Sequence, residues 1–323
     1  MSEADRIVLV GQAHWVRGLS RGLADVGLAV GSVPLQSIRD ALNPTAWRQI
    51  SRAQVILRVG FRPGAHTWRG RAFDAALALV GRRATPYCYW IGTDVMNLLL
   101  DKAADGKTAG WRSPHTAAFH LAGSAPLARE LAEVGIDAEI VGFPWKTLEA
   151  PSLLPEFPPG LTVLTYVPDA RAEFYGGPVI VEAARRLPHV AFRVMGGAGT
   201  WCREVPDNVE FLGWVDDPAA AYSCANCVVR MVEHDSIGGT AVEGLLFGRR
   251  VLYSQPLEHT VHIERTADSL VNALESAEAD ARAGRLGPDA EAAEWARREF
   301  DHVSRFALLA ERLRAAVAQR SDG

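Results

Sequence analysis

The sequence predicts an α/β protein of two domains, each built on a parallel β-sheet with helices on its faces. Short β-branched runs alternate with segments of helical period along the chain, which is typical of parallel α/β layers. A length of 323 residues exceeds what one small core holds. Residues 149–160 contain four prolines, which interrupt both helix and strand. We therefore predict a Rossmann-like domain over 1–148, a linker over 149–160, a second Rossmann-like domain over 161–302 and a final helix over 303–323.

In the first half of the chain, each predicted strand is a short apolar run that ends at turn residues. Helices are predicted where apolar residues recur at spacings of three and four and a glycine closes the run. The predicted strands are RIVLVG (6–11), LAVGSVP (28–34), VILRVG (55–60), PYCYWIG (86–92), FHLAGS (119–124) and AEIVGFP (138–144). The predicted helices are WVRGLSRGLADVG (15–27), a stretch around Trp47, RAFDAALALVG (71–81), a helix from Val95 and APLARELAEVG (125–135).

The same alternation restarts after the proline-rich segment. The predicted strands are LTVLTYV (161–167), VAFRVMGG (190–197), VEFLGW (209–214), CVVRMV (227–232) and RVLYS (250–254). The predicted helices are PVIVEAARRL (178–187), PAAAYSCA (218–225), TAVEGLLFG (240–248), ADSLVNALESA (267–277) and a helical tail over 289–319. The tail carries an apolar face of Phe306, Leu309, Leu313 and Val317, whose spacing is that of an amphipathic helix.

The composition is that of a globular protein, with 48% hydrophobic and 22% charged residues. Apolar runs are far shorter than the roughly 18 residues of a membrane span. The acidic start MSEADRIVLVG does not resemble a signal peptide. Four cysteines indicate a reducing compartment, and Cys224 and Cys227 form a C-x-x-C without the second pair of a zinc site. We therefore expect a cytoplasmic protein without a metal site.

Basic residues are concentrated in one region of a chain whose net charge is −4. The region contains Arg58, Arg62, Arg69, Arg71, Arg82 and Arg83, with Asp74 as its acidic residue. It either contacts an anionic surface, such as the inner face of a membrane, or forms an ordinary solvated helix face. Because no aromatic stacking module or nucleic-acid motif accompanies it, nucleic acid is not an expected partner.

The segment HDSIGGTAVEGLLFG (234–248) follows a buried strand and is the main candidate for a ligand site. In parallel sheets, ligands bind beyond the carboxyl ends of the strands, where helix N-termini present free N–H groups to anions. Gly238 and Gly239 allow backbone amides to approach a diphosphate without a Cβ in the way. Asp235 and Glu243 are then placed to accept hydrogen bonds from the hydroxyls of one bound molecule.

The same segment also fits an ordinary helix start. Thr240 and Glu243 have the T-x-x-E spacing of a capping box, which accounts for Glu243 without any ligand. Gly248 is then a helix C-cap and nothing more. In the ligand-site interpretation, His234 and Thr240 join the glycines in binding substrate. The local sequence leaves both interpretations open.

A resemblance extends from Cys227 onward, where CVVRMVEHDSIGGTAVEGLLFGRRVLYS is similar to the donor-site segment of GT-B glycosyltransferases, nearest to the retaining family-four type. That segment has an acidic residue, seven further residues and a Glu, then a small helix ending in Gly and a strand. Asp235 stands where the first Glu usually stands, and Glu243 matches the second. The resemblance implies that Glu243 binds ribose hydroxyls and that Asp235 faces the transferred sugar. It also implies two domains facing across a cleft, with the last helix crossing back to the first domain.

The start of the same domain carries a second part of the resemblance, YVPDARAEFYGGPVIVEAARRLPHVAFRVMGG. Many relatives hold the donor diphosphate with an Arg and a Lys in this loop. This chain has Arg171 but Tyr175 where the Lys is expected, so the pair is incomplete. Arg230 is a candidate for the missing cation. Alternatively, Arg171 and Arg230 are surface residues at strand ends.

Two short segments of the first domain carry further candidates. YWIGTDVMNLL resembles a segment near the cleft of some GT-B enzymes, and Asp94 is the candidate there; its alternative role is to cap the helix from Val95. VGQAHWVRGL forms the first strand–helix loop, where GT-B proteins contact donor or acceptor. Gly11 and His14 are the candidates in this loop, and His14 either contacts a phosphate or an acceptor hydroxyl or is a structural histidine.

The resemblance implies a glycosyltransferase that moves a sugar from a nucleotide-diphosphate donor to a hydroxyl of a glycan, lipid-linked or small-molecule acceptor. We expect a retaining reaction without a metal or other cofactor, with Asp235, Arg230, Asp94 and His14 in the catalytic set. An alternative is a non-catalytic GT-B-like protein that binds a nucleotide sugar or supports a partner enzyme. A nicotinamide oxidoreductase is disfavoured because GGAGTW lacks the full G-x-G-x-x-G.

Overall fold

The computed structural model describes residues 6–35, 40, 43–60, 68–105, 118–144 and 148–321. The chain divides into two compact units. Unit 1 comprises 1–145 together with 301–323, and unit 2 comprises 146–300. Each unit has its own six-stranded sheet, and all the paired strands described are parallel. The predicted α/β class is therefore confirmed.

Unit 1 alternates strands and helices along its first part. Its strands are β1 (Ile7–Gln12), β2 (Gly31–Leu35), β3 (Val55–Val59), β4 (Thr85–Trp90), β5 (Phe119–Ala122) and β6 (Glu139–Ile140), in the spatial order β2-β1-β3-β4-β5-β6. Its helices in this part are α1 (Ala13–Asp25), α2 (Pro44–Arg52), α3 (Trp68–Val80), α4 (Thr93–Asp105) and α5 (Ala125–Glu133). The order reverses between β1 and β3, so the crevice at the carboxyl end of β1 is the natural ligand position of this sheet.

Unit 2 repeats the arrangement. Its strands are β7 (Thr162–Tyr166), β8 (Ala191–Met195), β9 (Val209–Gly213), β10 (Cys227–Arg230), β11 (Arg250–Tyr253) and β12 (Val261–His262), in the order β12-β11-β10-β7-β8-β9. Its helices are α6 (Gly177–Arg186), α7 (Pro218–Ser223), α8 (Gly239–Leu246), α9 (Ala267–Arg282) and α10 (Ala290–Glu299), and a 3-10 turn spans Asp169–Arg171. The order of this sheet reverses between β7 and β10, which fixes the crevice where a ligand binds in such sheets.

The helical tail predicted over 289–319 consists of two helices, and the second begins at His302, one residue before the start predicted for the final helix. Helix α10 ends at Glu299 with Phe300 as its C-cap, and α11 spans His302–Ser321. Asp301 breaks the tail because its carboxylate accepts a hydrogen bond from the Ser304 backbone N–H at 2.9 Å, which caps the new helix. The apolar face predicted for the tail is buried, with Leu309 and Leu313 fully inside the core of unit 1.

The proline-rich segment 149–160 belongs to unit 2 and is tied to its core. Arg249 is 1% exposed, and its guanidinium donates to the backbone oxygens of Pro155 and Ala225 and lies 4.5 Å from the Phe157 ring. Burial lowers the pKa of Arg249 to about 10, and each of its three nitrogens donates to a backbone oxygen. The segment predicted as a linker is therefore held against the core of unit 2 by its contacts with Arg249.

Candidate functional site

A cavity of ≈ 290 Å³ lies in unit 2 at the point where its strand order reverses. Its walls come from the carboxyl ends of β7, β8 and β10, the loop after β9, α7 and the start of α8. The lining residues are Tyr166, Met195, Gly196, Trp214, Val215, Pro218, Tyr222, Arg230, Gly239, Thr240 and Glu243. The cavity thus combines a cation, a carboxylate, a helix N-terminus and aromatic surface within one unit.

Arg230 supplies the cation of this cavity. It is the last residue of β10, its side chain is 10% exposed, and its Nε lies 2.6 Å from Asp235 Oδ2. Burial lowers the pKa of Arg230, but the adjacent Asp235 carboxylate outweighs burial and holds that pKa above its ordinary value. The guanidinium is therefore permanently charged. The alternative that Arg230 is a surface residue is wrong, because the side chain is enclosed.

Asp235 lies in the loop between β10 and α8 and does not line the cavity. Its Oδ2 is engaged twice, by Arg230 and by the Tyr253 hydroxyl, which donates to it at 2.9 Å. The acidic side chain is thus positioned behind Arg230. Its predicted contact with the transferred sugar stays a prediction.

Glu243 lines the cavity from the second turn of α8. Its Oε2 accepts a hydrogen bond from the buried Tyr222 hydroxyl at 2.7 Å, and the Leu148 backbone also bonds to it. Burial raises the pKa of Glu243, and these two hydrogen bonds partly offset the rise. A carboxylate has about four acceptor positions, so capacity remains for the hydroxyls of a ligand.

The capping box proposed for Thr240 and Glu243 is wrong. Helix α8 begins one residue earlier, at Gly239, with Gly238 as N-cap and no side-chain cap. Thr240 Oγ1 instead accepts from Arg230 Nη1 at 3.4 Å, and Glu243 bonds to Tyr222. The predicted helix end is confirmed, since Gly248 has φ +66° and its N–H donates to Leu245 O at 2.8 Å.

The two glycines of the segment have different roles. A Cβ on Gly238 would lie 2.0 Å from Arg230 Nε, so this glycine makes room for the Arg230–Asp235 pair. A Cβ on Gly239 would meet nothing within 4 Å, and Gly239 lines the cavity. Among the described residues, no acceptor bonds to the N–H groups of Gly239 or Thr240. These two amides at the start of an eight-residue helix are available to an anion.

The other candidates of unit 2 lie around this cavity rather than in it. Arg171 is exposed, with its guanidinium carbon 3.9 Å from the Phe174 ring centroid. The Tyr175 ring centroid lies 5.5 Å from the guanidinium carbon of Arg230, so an aromatic face occupies the position where a lysine is expected. His234 is half-buried and does not line the cavity.

Three candidates belong to unit 1. Asp94, in the first turn of α4, is 2% exposed and its carboxylate accepts from the backbone N–H groups of Ile91 (3.0 Å) and Gly92 (2.8 Å). A Cβ on Gly11 would lie 1.8 Å from Val59 O, so Gly11 is needed for the close approach of β1 and β3. His14 is exposed at the start of α1, and its ring centroid lies 4.4 Å from that of Trp15. Catalytic roles for Asp94 and His14 stay predictions.

The basic region of unit 1 is less continuous than predicted. The Arg58 side chain is only 12% exposed and pairs with Asp74 at 2.9 Å, so it does not belong to a surface patch. Arg82 and Arg83 are exposed, whereas Arg62 lies outside the described residues, as do the side chains of Arg69 and Arg71. No helix in the described ranges is long and apolar enough to cross a membrane. In the same ranges, no group of three or more His, Cys, Asp or Glu is arranged to hold a metal ion.

Similarity to known sequences is limited. No protein-family model matches the chain. A curated protein named an uncharacterized glycosyltransferase, from Methanosarcina acetivorans, is 33% identical over 84 residues. That stretch is 25% of this chain and spans only 21% of the length of the curated relative.

Similarity to solved structures covers nearly the whole chain. Sucrose-phosphate synthase from Thermosynechococcus elongatus has a TM-score of 0.66 at 15% identity, over 96% of this chain and 100% of that one. A glycosyltransferase from Rickettsia africae has a TM-score of 0.65 at 12% identity, over 98% of each chain. The pneumococcal O-GlcNAc transferase GtfA, solved with UDP and GlcNAc, has a TM-score of 0.53 at 12% identity, over 86% and 60%.

The chain has the GT-B fold. At these identities the similarity establishes the fold alone. Within the GT-B fold, the segment that resembles a donor site forms β10, the following loop, α8 and β11, and it borders the cavity of unit 2.

Sequence reasoning missed the aromatic part of this GT-B cavity. Tyr166, Trp214 and Tyr222 line it, and Tyr253 holds Asp235 behind it. Trp214 is 75% exposed directly after β9. Trp214 was read only as the last residue of the predicted strand over 209–214. Nothing local marks Tyr222 and Tyr253, since their hydrogen-bond partners Glu243 and Asp235 lie 21 and 18 residues away in sequence.

Proposed function

We propose that the protein is a glycosyltransferase that binds a nucleotide-diphosphate sugar in the cavity of unit 2 and transfers the sugar to an acceptor hydroxyl. The observation that carries this proposal is the convergence of Arg230, the free amides of Gly239 and Thr240, and Glu243 on one cavity of a GT-B fold. A diphosphate needs positive charge and N–H donors, whereas a ribose needs a carboxylate acceptor. The cavity offers both within its walls.

The donor is proposed to lie with its diphosphate against Arg230 and the start of α8. Its ribose hydroxyls donate to Glu243, as the sequence resemblance implies. Trp214 offers its exposed ring to the base, since stacking on an aromatic face is favourable for every nucleobase. The UDP and GlcNAc in the GtfA structure support a donor of this class.

The proposed chemistry is departure of the nucleoside diphosphate and transfer of the sugar with retention of configuration. As the glycosidic bond to the diphosphate breaks, negative charge grows on the leaving oxygen. Arg230 and the α8 amides stabilise that charge in an enclosed site, where such interactions are stronger than in water. The departing diphosphate then draws the proton from the incoming hydroxyl. Because Arg230 and the amides carry this charge, we expect EDTA to leave the transfer rate unchanged.

A second candidate function is binding of a nucleotide sugar without transfer. The observation in its favour is that Asp235 already neutralises Arg230 at 2.6 Å, which reduces the charge available to a leaving group. Turnover distinguishes the two functions. Protein that binds a nucleotide but hydrolyses or transfers no sugar across a broad donor panel would support the second.

Thermal-shift measurements with UDP, GDP, ADP, TDP and their sugars test the proposal and identify the base. We expect one nucleotide series to stabilise the protein by several degrees, because a ligand at 100 times its Kd adds about 2.7 kcal/mol. Glu243→Gln should weaken that nucleotide about tenfold, since it loses a charge-assisted acceptor for ribose. Glu275→Gln, an exposed acid on α9, is the matched control and should have no effect. The proposal is wrong if no nucleotide of the panel binds.

A further inference from the structure

The Tyr253 hydroxyl contacts both Asp235, the partner of Arg230, and the start of α8 in unit 2. Tyr253 is the last residue of β11 and is 2% exposed. Its hydroxyl donates to Asp235 Oδ2 at 2.9 Å and accepts from the Gly238 N–H at 3.2 Å. Gly238 is the N-cap of α8. One buried hydroxyl therefore joins the acidic partner of Arg230 to the helix start that faces the cavity.

Arg230 is held on two sides by this network. Its Nε contacts Asp235 Oδ2 at 2.6 Å, and its Nη1 contacts Thr240 Oγ1 at 3.4 Å. A Cβ on Gly238 would lie 2.0 Å from Nε and 2.9 Å from Asp235 Oδ2, so the backbone packs tightly against the pair. The guanidinium is thereby held in place at the wall of the cavity, which Arg230 lines.

We propose that Tyr253 is a positioning residue for anion binding, which acts through Asp235 to hold Arg230 in register with the free amides of α8. The inference rests on the proposed function, because it concerns the same cavity. Tyr253 and Asp235 touch no phosphate themselves. They fix one rotamer of a long side chain that would otherwise sample several, so the diphosphate meets a guanidinium already in place.

A positioning role and a purely electrostatic role of Asp235 predict opposite effects on anion binding. Removing the negative charge of Asp235 would strengthen anion binding if Asp235 acted only through its charge. If Asp235 acts by holding Arg230, its removal weakens anion binding instead. By the same reasoning, removing the Tyr253 hydroxyl weakens binding of the diphosphate and leaves the affinity for the nucleoside unchanged.

The experiment measures dissociation constants by calorimetric titration of the full-length protein. The probes are inorganic diphosphate, the tightest of UDP, GDP, ADP and TDP, and the parent nucleoside of that nucleotide. Tyr253→Phe should bind both inorganic diphosphate and the nucleoside diphosphate about tenfold more weakly, with nucleoside affinity unchanged, because it removes the hydroxyl that donates to Asp235 and accepts from Gly238. Tyr89→Phe is the matched control, since it removes a buried hydroxyl that donates to Gly142 O at 2.7 Å in unit 1. It should leave all three affinities unchanged.

Two further variants keep the inference testable if Tyr253→Phe folds poorly. Asp235→Asn should also weaken diphosphate binding, and tighter binding would overturn the inference. In an Arg230→Lys background, Tyr253→Phe should change diphosphate affinity less than twofold, because the guanidinium that it positions is gone.

Failure of the inference and failure of the proposed function give different results. Equal diphosphate affinity in wild type and Tyr253→Phe overturns the positioning role and leaves the function in place. Equal weakening of diphosphate and nucleoside assigns Tyr253 a merely structural role and also overturns it. A wild-type protein that binds no nucleotide overturns both.

Discussion

Asp94 is a carboxyl whose environment favours its protonated form. It is 2% exposed in the first turn of α4, and burial raises its pKa to about 6, although backbone hydrogen bonds from Gly92, Ile91 and Val95 oppose the rise. The folded protein therefore binds this proton more tightly than the unfolded chain, in which the pKa is near 3.8. The associated stability is fully present below pH about 3.8 and is lost as pH rises through about 6.

Asp94→Asn is expected to remove this pH dependence. Asparagine keeps the oxygen that accepts from the backbone but does not titrate. Relative to the variant, the wild type should lose about 2.4 kcal/mol of unfolding free energy between pH 4 and pH 7, at about 1.4 kcal/mol per unit of pKa shift. Denaturant unfolding of both proteins at several pH values measures the difference.

Asp301 provides a control of opposite sign. Hydrogen bonds from the Ser304 hydroxyl and backbone lower the pKa of Asp301, so its stabilising effect is lost as pH falls rather than as pH rises. Asp301→Asn should therefore approach the wild type only toward acid pH. Parallel pH profiles for Asp94→Asn and the wild type would contradict the raised pKa of Asp94.

The sequence predicted those site residues that lie at the end of a buried strand or in the segment directly after it. Arg230 and Glu243 are such residues, because the carboxyl ends of parallel strands share one edge. The capping box failed because Tyr222, 21 residues before Glu243, takes up its carboxylate. Tyr253 lies 18 residues after Asp235 and could not be found for the same reason. Tertiary hydrogen bonds of this kind leave no local pattern in the sequence.

Among the elements, α1 and α11 show how a glycine sets the distance between two helices. Gly22 lies on the buried face of α1, and a Cβ there would lie 2.0 Å from Cζ of Phe306 on α11. The Phe306 ring thus occupies the volume that an α1 side chain would fill. Glycine costs helix stability, and the packing of α11 explains its presence in the middle of a helix.

Gly22→Ala is expected to destabilise the protein by about 1–3 kcal/mol, because the added methyl overpacks the contact with Phe306. The same change at Gly18, exposed on the same helix with nothing within 4 Å of its Cβ, should stabilise it by about 0.5–1 kcal/mol. Urea unfolding of the two variants measures both effects. A stabilising effect of Gly22→Ala would contradict this packing. In the Gly22→Ala protein, the smaller side chain of Phe306→Leu should restore part of the lost unfolding free energy.

Element types were predicted well where periodicity is strong and poorly where a tertiary contact decides. The central strands were predicted because they are buried apolar runs, as β1 is from Ile7 to Val10. The two-residue strand β12 was missed, since its pairing with β11 rather than its composition defines it. The start predicted for the final helix, at 303, lies one residue from the start of α11 at His302.

At the scale of the whole molecule, each unit has its own hydrophobic core. The core around β1 and β3 includes Leu309 and Leu313 of α11, so the C-terminal helix completes unit 1. The core of unit 2 contains Leu274 of α9 and the strands that carry the cavity. Unit 1 is therefore built from two separate parts of the sequence, whereas unit 2 is one continuous segment.

Leu313→Ala is expected to destabilise unit 1 while leaving the cavity of unit 2 intact. Leu313 is fully buried, and truncating such a side chain costs about 2–5 kcal/mol through lost burial and the cavity left behind. Leu274→Ala is the matched variant in unit 2, where Leu274 is equally buried and lies outside the cavity lining.

Calorimetry with and without the stabilising nucleotide should show that the ligand offsets the effect of Leu274→Ala but not that of Leu313→Ala. The Kd of the nucleotide should be unchanged in Leu313→Ala well below its melting temperature. Equal rescue of both variants by nucleotide would contradict the assignment of α11 to a core separate from the donor site.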